Sequence, residues 1–341
     1  MPNFPSIIIR ADASPSLGGG HVMRCLALGQ ILSENGFSIH FVTFEETGLL
    51  INRLEASGFE VHLVNPMNEL DVIKKIKEKE SISWMALDGY QFNHEFHKAI
   101  KELNLKILLF DDNKEHEAYF VDAIINQNSH ATTEMYVDCD KSINLFLGAP
   151  FVLLRNEFRQ NEEVDLPLND SIKRILITLG SGDPNNVTLQ ILKYLVENKI
   201  NDESVCEVVI GPNNPNFDSI KNYISDKNNF KLLLDVGDMC SLMKKNDICI
   251  CASGSTVWEL CSLGVPFINV VTFDNQINVN KYLSEMNVSI GLESRDDTFG
   301  ENLIAGIKSL EKKSLRQKMV INQKKIFKNS KIDELVDCLK S

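Results

Sequence analysis

The chain has 341 residues, 43% of them apolar, eight cysteines and a formal net charge of −12. That length predicts two domains with substantial cores, and the acidic balance, with lysine-rich residues 74–79 and 312–328 broken up by apolar positions as on solvated helix faces, argues against nucleic acid or an anionic membrane as partner. No apolar run reaches bilayer length, no signal-peptide pattern opens the chain, and the cysteines are scattered without paired CxxC modules, so a cytoplasmic protein with reduced thiols and no membrane insertion is expected.

The first predicted element is a buried parallel strand at Ile7-Ile8-Ile9-Arg10. A loop closed by Gly18-Gly19-Gly20 leads into a helix that opens on His21 and carries Val22, Met23, Leu26, Ala27, Leu28 and Gly29 at helical spacing up to about Asn35-Gly36. Glycines there let a ligand approach the backbone, and the helix N-terminus favours anions, phosphates above all. The same dipole disfavours imidazolium, which suits a histidine to accept a proton beside an anionic leaving group. The alternative is an ordinary Gly-rich β-α turn with a partly exposed polar histidine.

Further strands are predicted at residues 38–41, 60–63, 84–87, 106–110, 123–126 and 144–147. Asp88-Gly89-Tyr90 and Asp111-Asp112 each follow a strand's carboxyl end, the edge where open α/β sheets bind ligands, with loop capping as the alternative. His94 and His97 have metal-ligand spacing, but with no third ligand nearby they read as a helix surface.

A polar stretch from about Asn156 to Ser171 reads as a linker, which gives domains at 1–157 and 172–320, a linker at 158–171, and a C-terminal helical segment at 321–341. Beyond it the opening theme returns: a strand from Arg174, then Gly180-Ser181-Gly182-Asp183, then a helical run over 187–197. Strands are predicted at 206–210, 230–234, 248–251 and 266–271. Strands alternating with helices in two similar halves predict an α/β fold of twin Rossmann-like domains whose parallel sheets face a central cleft. Ser253-Gly254-Ser255-Thr256 opens another helix as a phosphate-sized set of N–H and hydroxyl donors, with Glu259 placed to accept from a ribose diol. Capping by Ser253 or Ser255, with Glu259 complementing the dipole, is the alternative. Asn275 and Gln276 can supply amide contacts to a ligand or cap a helix. No P-loop and no complete GxGxxG occurs, which weighs against a P-loop NTPase and dinucleotide redox chemistry.

The run from Arg10-Ala11-Asp12 through Gly20-His21-Val22-Met23-Arg24 resembles the opening of the UDP-sugar hydrolases of pseudaminic acid synthesis, which release UDP from UDP-2,4-diacetamido-2,4,6-trideoxy-β-L-altropyranose. The likeness continues at Leu87-Asp88-Gly89-Tyr90, Phe110-Asp111-Asp112, Leu154-Arg155-Asn156, Gly180-Ser181-Gly182-Asp183, residues 253–260 and Asn275-Gln276. That family is similar to the peptidoglycan N-acetylglucosaminyl transferase, and the resemblance implies its GT-B architecture, with the C-terminal helix at 321–341 returning toward the N-terminal domain. It implies His21 as catalytic residue, Tyr90 near the attacking water, and UDP held by Gly180, Ser181, Gly182, Asp183, Ser253, Gly254, Ser255, Thr256 and Glu259. Asp12, Gly19, Gly20, Arg24, Asp88, Arg155, Asn275 and Gln276 are implied as further substrate contacts. The expected reaction is inverting water attack at the anomeric carbon with no cofactor and no metal, in a monomer or weak homodimer. A GT-B glycosyltransferase and a hydrolysing UDP-sugar 2-epimerase would use the same site, and a non-catalytic nucleotide-binding regulator would bind UDP without turnover.

Overall fold

A run of β-branched residues covered on both faces makes a central parallel strand, and Ile7, Ile8 and Ile9 are fully buried in β1 (Ser6–Ala11). The computed structural model describes residues 5–14, 18–114, 116, 118–160, 167–180, 183–211, 214–327 and 329–341. The chain divides into two compact units, residues 1–156 with 329–341, and residues 157–328.

In the N-terminal unit β1 is followed by β2 (Ser38–Phe44), β3 (Glu60–Val64), β4 (Ile82–Asp88), β5 (Lys106–Phe110), β6 (Ala123–Asn126) and β7 (Asn144–Leu147). They form one sheet of order β3-β2-β1-β4-β5-β6-β7, parallel throughout the described pairs. Side chains alternate across it, as the two-residue period of a strand requires. Ile7, Ile9 and Ala11 join the core under α1 (Gly20–Glu34) and α2 (Leu50–Ala56), whereas Ile8 joins the opposite one under α3 (Glu69–Lys79) and α4 (His94–Glu102). The chain's last helix, Ile332–Lys340, places Leu335, Val336 and Leu339 in the α1 core. The segment 321–341, read from sequence as one helical piece, is thus two: Lys313–Ile326 ends in the C-terminal unit and Ile332–Lys340 belongs to the N-terminal one.

The C-terminal unit carries β8 (Arg174–Thr178), β9 (Val205–Ile210), β10 (Phe230–Leu234), β11 (Ile248–Ala252), β12 (Phe267–Val271) and β13 (Ile290–Glu293), in parallel order β10-β9-β8-β11-β12-β13. The sequence reading missed β13, a four-residue edge strand with one buried side chain. Both sheets reverse strand order beside their first strand, between β1 and β4 and between β8 and β11. A crevice opens at such a switch point outside the strand ends. Among the described residues no helix is long and apolar enough to cross a membrane.

Candidate active site

The N-terminal switch point is built by the first turns of α1 and by the end of β4, where Asp88 pairs in register with Ala11 of β1. Residues three and four apart share a helix face, so His21, Arg24 and Cys25 all turn toward Asp88. Asp88 Oδ1 lies 2.5 Å from His21 Nδ1 and accepts from Arg24 Nη2 at 2.8 Å, while Oδ2 accepts from Arg24 Nε at 2.6 Å and from Cys25 Sγ at 3.6 Å. Arg24 Nη1 donates to Asp112 Oδ1 at 2.7 Å, and Asn128 Nδ2 donates to the same oxygen at 2.9 Å. Six side chains from four segments thus form one hydrogen-bonded network.

Burial by itself would raise the Asp88 carboxyl, but the charges and hydrogen bonds of Arg24 and His21 outweigh it and hold Asp88 well below the usual carboxylate range. Arg24 loses by burial and gains more from Asp112 and Asp88, so it stays a cation. An ionised carboxylate only accepts hydrogen bonds. His21 therefore carries its proton on Nδ1, and in the neutral ring Nε2 keeps a lone pair. The Tyr90 ring stands edge-on to the imidazole at 5.1 Å between centroids and is 44% exposed.

Among the described residues no side chain caps the start of α1. Gly19 is its N-cap and makes no side-chain cap bond, no acidic residue occupies the first turn, and a methyl placed on Gly20 would meet nothing within 4 Å. Gly18, at φ +71°, closes the loop by donating to Ser14 O at 2.8 Å, and residues 15–17 lie outside the described residues. Asp12 is buried just past the end of β1. Its oxygens meet Arg10 Nη1 at 2.5 Å, Phe44 N at 2.8 Å, Gln91 Nε2 at 3.0 Å and Thr43 Oγ1 at 3.2 Å. Arg10, fully buried, also pairs with Glu69 of α3 and faces the Phe44 ring at 4.4 Å. Asp12 thus ties the end of β1 to the end of β2 and to Gln91. Arg155 is buried before the unit boundary, and the neighbouring Asn156 N donates to Gln30 Oε1 at 2.9 Å.

In the C-terminal unit the two loops at the switch point differ. Ser181 and Gly182 lie outside the described residues; Gly180 adopts φ +89° and is exposed. Asp183 is buried and accepts Val187 N and Thr188 N, both at 2.8 Å, so it caps the helix Val187–Glu197. The helix Thr256–Leu263 has Ser255 at its N-cap with no side-chain cap bond. Ser253 does not cap it either: its buried hydroxyl accepts from Asn269 Nδ2 at 2.9 Å and lies 3.4 Å from Asn280 Oδ1. Gly254, Ser255, Thr256 and Glu259 are part-exposed. Gln276 accepts from Thr272 N at 2.9 Å and Thr272 Oγ1 at 3.1 Å, and its Nε2 lies 3.9 Å from where a Gly254 methyl would sit. Asn275 is exposed beside it.

Sequence reading had each of His21, Arg24, Asp88 and Asp112 as a separate residue at a strand or helix end. It missed Asn128 and the buried Arg10–Glu69 pair, and only the i, i+3 spacing of His21 and Arg24 hinted at a shared partner. The pair His94 and His97 parts company in the structure: His94 is exposed on α4 and His97 fully buried.

Residues 174–336 match the Glycosyltransferase family 28 C-terminal domain. An uncharacterized protein of Methanocaldococcus jannaschii is 31% identical over 285 residues, which is 81% of this chain but only 57% of that relative's length. A Campylobacter jejuni protein named UDP-2,4-diacetamido-2,4,6-trideoxy-beta-L-altropyranose hydrolase is 26% identical over 281 residues, 82% of this chain and 96% of its own. Among solved structures, spinosyn rhamnosyltransferase SpnG complexed with spinosyn aglycone matches with a TM-score of 0.69 at 12% identity, covering 98% of this chain and all of that one. At that identity the likeness is one of fold. The protein is an α/β protein of GT-B type, with two parallel-sheet domains.

Proposed function

We propose that the protein is a nucleotide-sugar hydrolase that removes UDP from a UDP-2,4-diacetamido-2,4,6-trideoxyhexose, in the altropyranose series, by inverting attack of water at the anomeric carbon. The freed sugar would feed pseudaminic acid synthesis and, through it, flagellin or cell-surface glycosylation. The observation that carries this reading is the His21–Asp88 pair: with Nδ1–H held by a buried carboxylate, Nε2 is the one ring atom able to take a proton, beside an uncapped helix mouth. The 26% identical Campylobacter relative, matched over nearly its whole length, supplies the substrate class.

In this reaction His21 Nε2 takes the proton of the attacking water while oxygen bonds to C1 and the C1–O bond to UDP breaks. The imidazolium that forms is stabilised by Asp88, whose own charge Arg24 keeps in place. Tyr90 borders the water. Many glycosidases protonate the leaving oxygen with a second carboxylic acid, whereas a nucleoside diphosphate leaves as a stabilised anion and needs none. Gly254, Ser255 and Thr256 offer the diphosphate N–H and hydroxyl donors, and Gly19 and Gly20 offer substrate the backbone at the mouth of α1. Glu259 accepts from the ribose, and Asn275 and Gln276 offer amides to the sugar or phosphate. Asp12, Arg24, Asp88, Asp183 and Ser253, with their polar atoms engaged inside the protein, act on substrate by fixing the groups that touch it.

The glycosyltransferase match over residues 174–336 favours a second reading, in which the same base serves an acceptor hydroxyl. Incubating the protein with a panel of UDP-diacetamido-trideoxyhexoses in ¹⁸O-water, with and without acceptor, separates the two. The expected result is UDP release without acceptor, an inverted first-formed anomer by NMR, and label in the sugar rather than in UDP. Turnover only with acceptor would make the protein a transferase, a product altered at C2 an epimerase, and UDP binding without turnover a regulator.

A further inference from the structure

At the far end of the N-terminal sheet from the His21 network, β2 and the edge strand β3 present three metal-ligating side chains to one another. His40 of β2 is in register with Glu60 of β3 and with Ile8 of β1, near the strands' amino ends, whereas Asp88 terminates β4. His62 follows Glu60 by two residues and so shares its face of the sheet, the face that carries Ile8 and Val42 beneath α3. His40 Nδ1 lies 3.3 Å from His62 Nε2 and 3.5 Å from Glu60 Oε2, and His62 Nε2 lies 3.6 Å from Glu60 Oε1. Two imidazole nitrogens on a tetrahedral ion at the usual zinc–nitrogen bond length stand about 3.3 Å apart. The separation found here is therefore that of two corners of such a tetrahedron, with the carboxylate close to a third.

We propose that His40, Glu60 and His62 form a binding site for a divalent transition-metal ion of the zinc class, which pins edge strand β3 to β2 and is separate from the candidate catalytic network. Two imidazoles and one carboxylate suit zinc and its neighbours rather than magnesium or calcium. His40 is 5% exposed, His62 21% and Glu60 52%, so one side of the cluster is protein and the other faces solvent, where water completes the coordination. Burial, ahead of the opposing pull of Glu60, lowers both histidines from their ordinary value, which leaves the rings neutral with lone pairs to offer. Two features limit the affinity. Lys79 Nζ lies 3.9 Å from Glu60 Oε1, with Glu80 also acting on His40, and His40 Nε2 is buried with no partner to orient the ring from behind. The alternative that the same distances allow is a metal-free pair of imidazoles sharing one proton.

The test is a titration of the chelator-treated full chain with Co²⁺, read by visible absorption, and with Zn²⁺, read by calorimetry and thermal unfolding. Binding at one equivalent with the intense absorption of tetrahedral cobalt is expected, together with a rise in melting temperature under Zn²⁺. His62→Ala should weaken binding at least about tenfold and abolish the thermal rise. Lys79→Gln, which removes a competing cation, should tighten binding, and His94→Ala should leave it unchanged. Glu60→Gln, at a half-exposed side chain, provides a second loss variant should His62→Ala fail to fold. Affinity indifferent to both loss variants, or cobalt spectra of octahedral ions only, would overturn the site. UDP release is expected to be the same for wild type and His62→Ala after chelation, so this outcome is independent of the reaction proposed above.

Discussion

The two units follow one plan, a parallel sheet with a Gly-bearing loop after its first strand, yet they furnish their switch points with opposite chemistry. In the N-terminal unit the crevice holds a buried ionic chain, His21–Asp88–Arg24–Asp112. In the C-terminal unit the corresponding loops carry glycines, hydroxyls and amides over a neutral buried triad, Ser253–Asn269–Asn280, and the one buried carboxylate there, Asp183, is consumed as a helix cap. On the proposed reading, a proton-transfer site needs a base whose charged form has a waiting counter-charge, which Asp88 would supply. On the same reading, a diphosphate needs N–H and hydroxyl donors at a helix start, which Gly254, Ser255 and Thr256 would supply, with Glu259 of the same first turn left to the ribose. Duplication of a fold sets where ligands can go; the side chains at the strand ends set what each half can do.

The most severe test of that division is His21→Ala, expected to cut turnover by about 10²–10⁴-fold, the usual worth of a general base, while UDP affinity by calorimetry stays near wild type. Near-normal turnover would collapse the contrast between the halves. Asp88→Asn should act next most strongly and on stability as well. Removing one partner of a buried ion pair costs about 3–5 kcal/mol, and the remaining Asp112–Arg24 pair keeps the loss toward the lower end. The pH dependence has a definite sign. Because folding lowers the Asp88 carboxyl, its contribution is fully present above the unfolded value of about 4 and is lost as pH falls through the lower folded value. Urea unfolding should therefore show wild type and Asp88→Asn converging as the solution is acidified below pH 4, and a constant gap would remove the ionic role. Glu259→Ala, in the other half, should weaken UDP binding by about tenfold or somewhat more, as for a hydrogen bond to a charged acceptor, with kcat at saturating substrate little changed. A loss of kcat with unchanged UDP affinity would exchange the roles of the two units.

The fold class was legible because the inner strands of both sheets are buried on both faces. Runs such as Ile7-Ile8-Ile9 and Arg174-Ile175-Leu176-Ile177 can hardly be anything but interior strands, and alternation with helices does the rest. β13 was missed for the converse reason: a short edge strand containing Gly291 needs little apolar sequence. The break of the tail into two helices was not legible because helical periodicity runs on through residues 313–340, and nothing in it marks where Ile332–Lys340 begins.

Sequence by itself determined the sites' addresses: strand, glycine loop, helix start, and a histidine at residue 21, all of them local patterns a few residues long. Only the tertiary structure decided what those residues touch. Asp88 and Asp112 stand 64 and 88 residues from Arg24, and His40 stands 22 from His62. Such meetings depend on strand order and register, which a parallel sheet sets through long crossovers that leave no short-range trace in the chain.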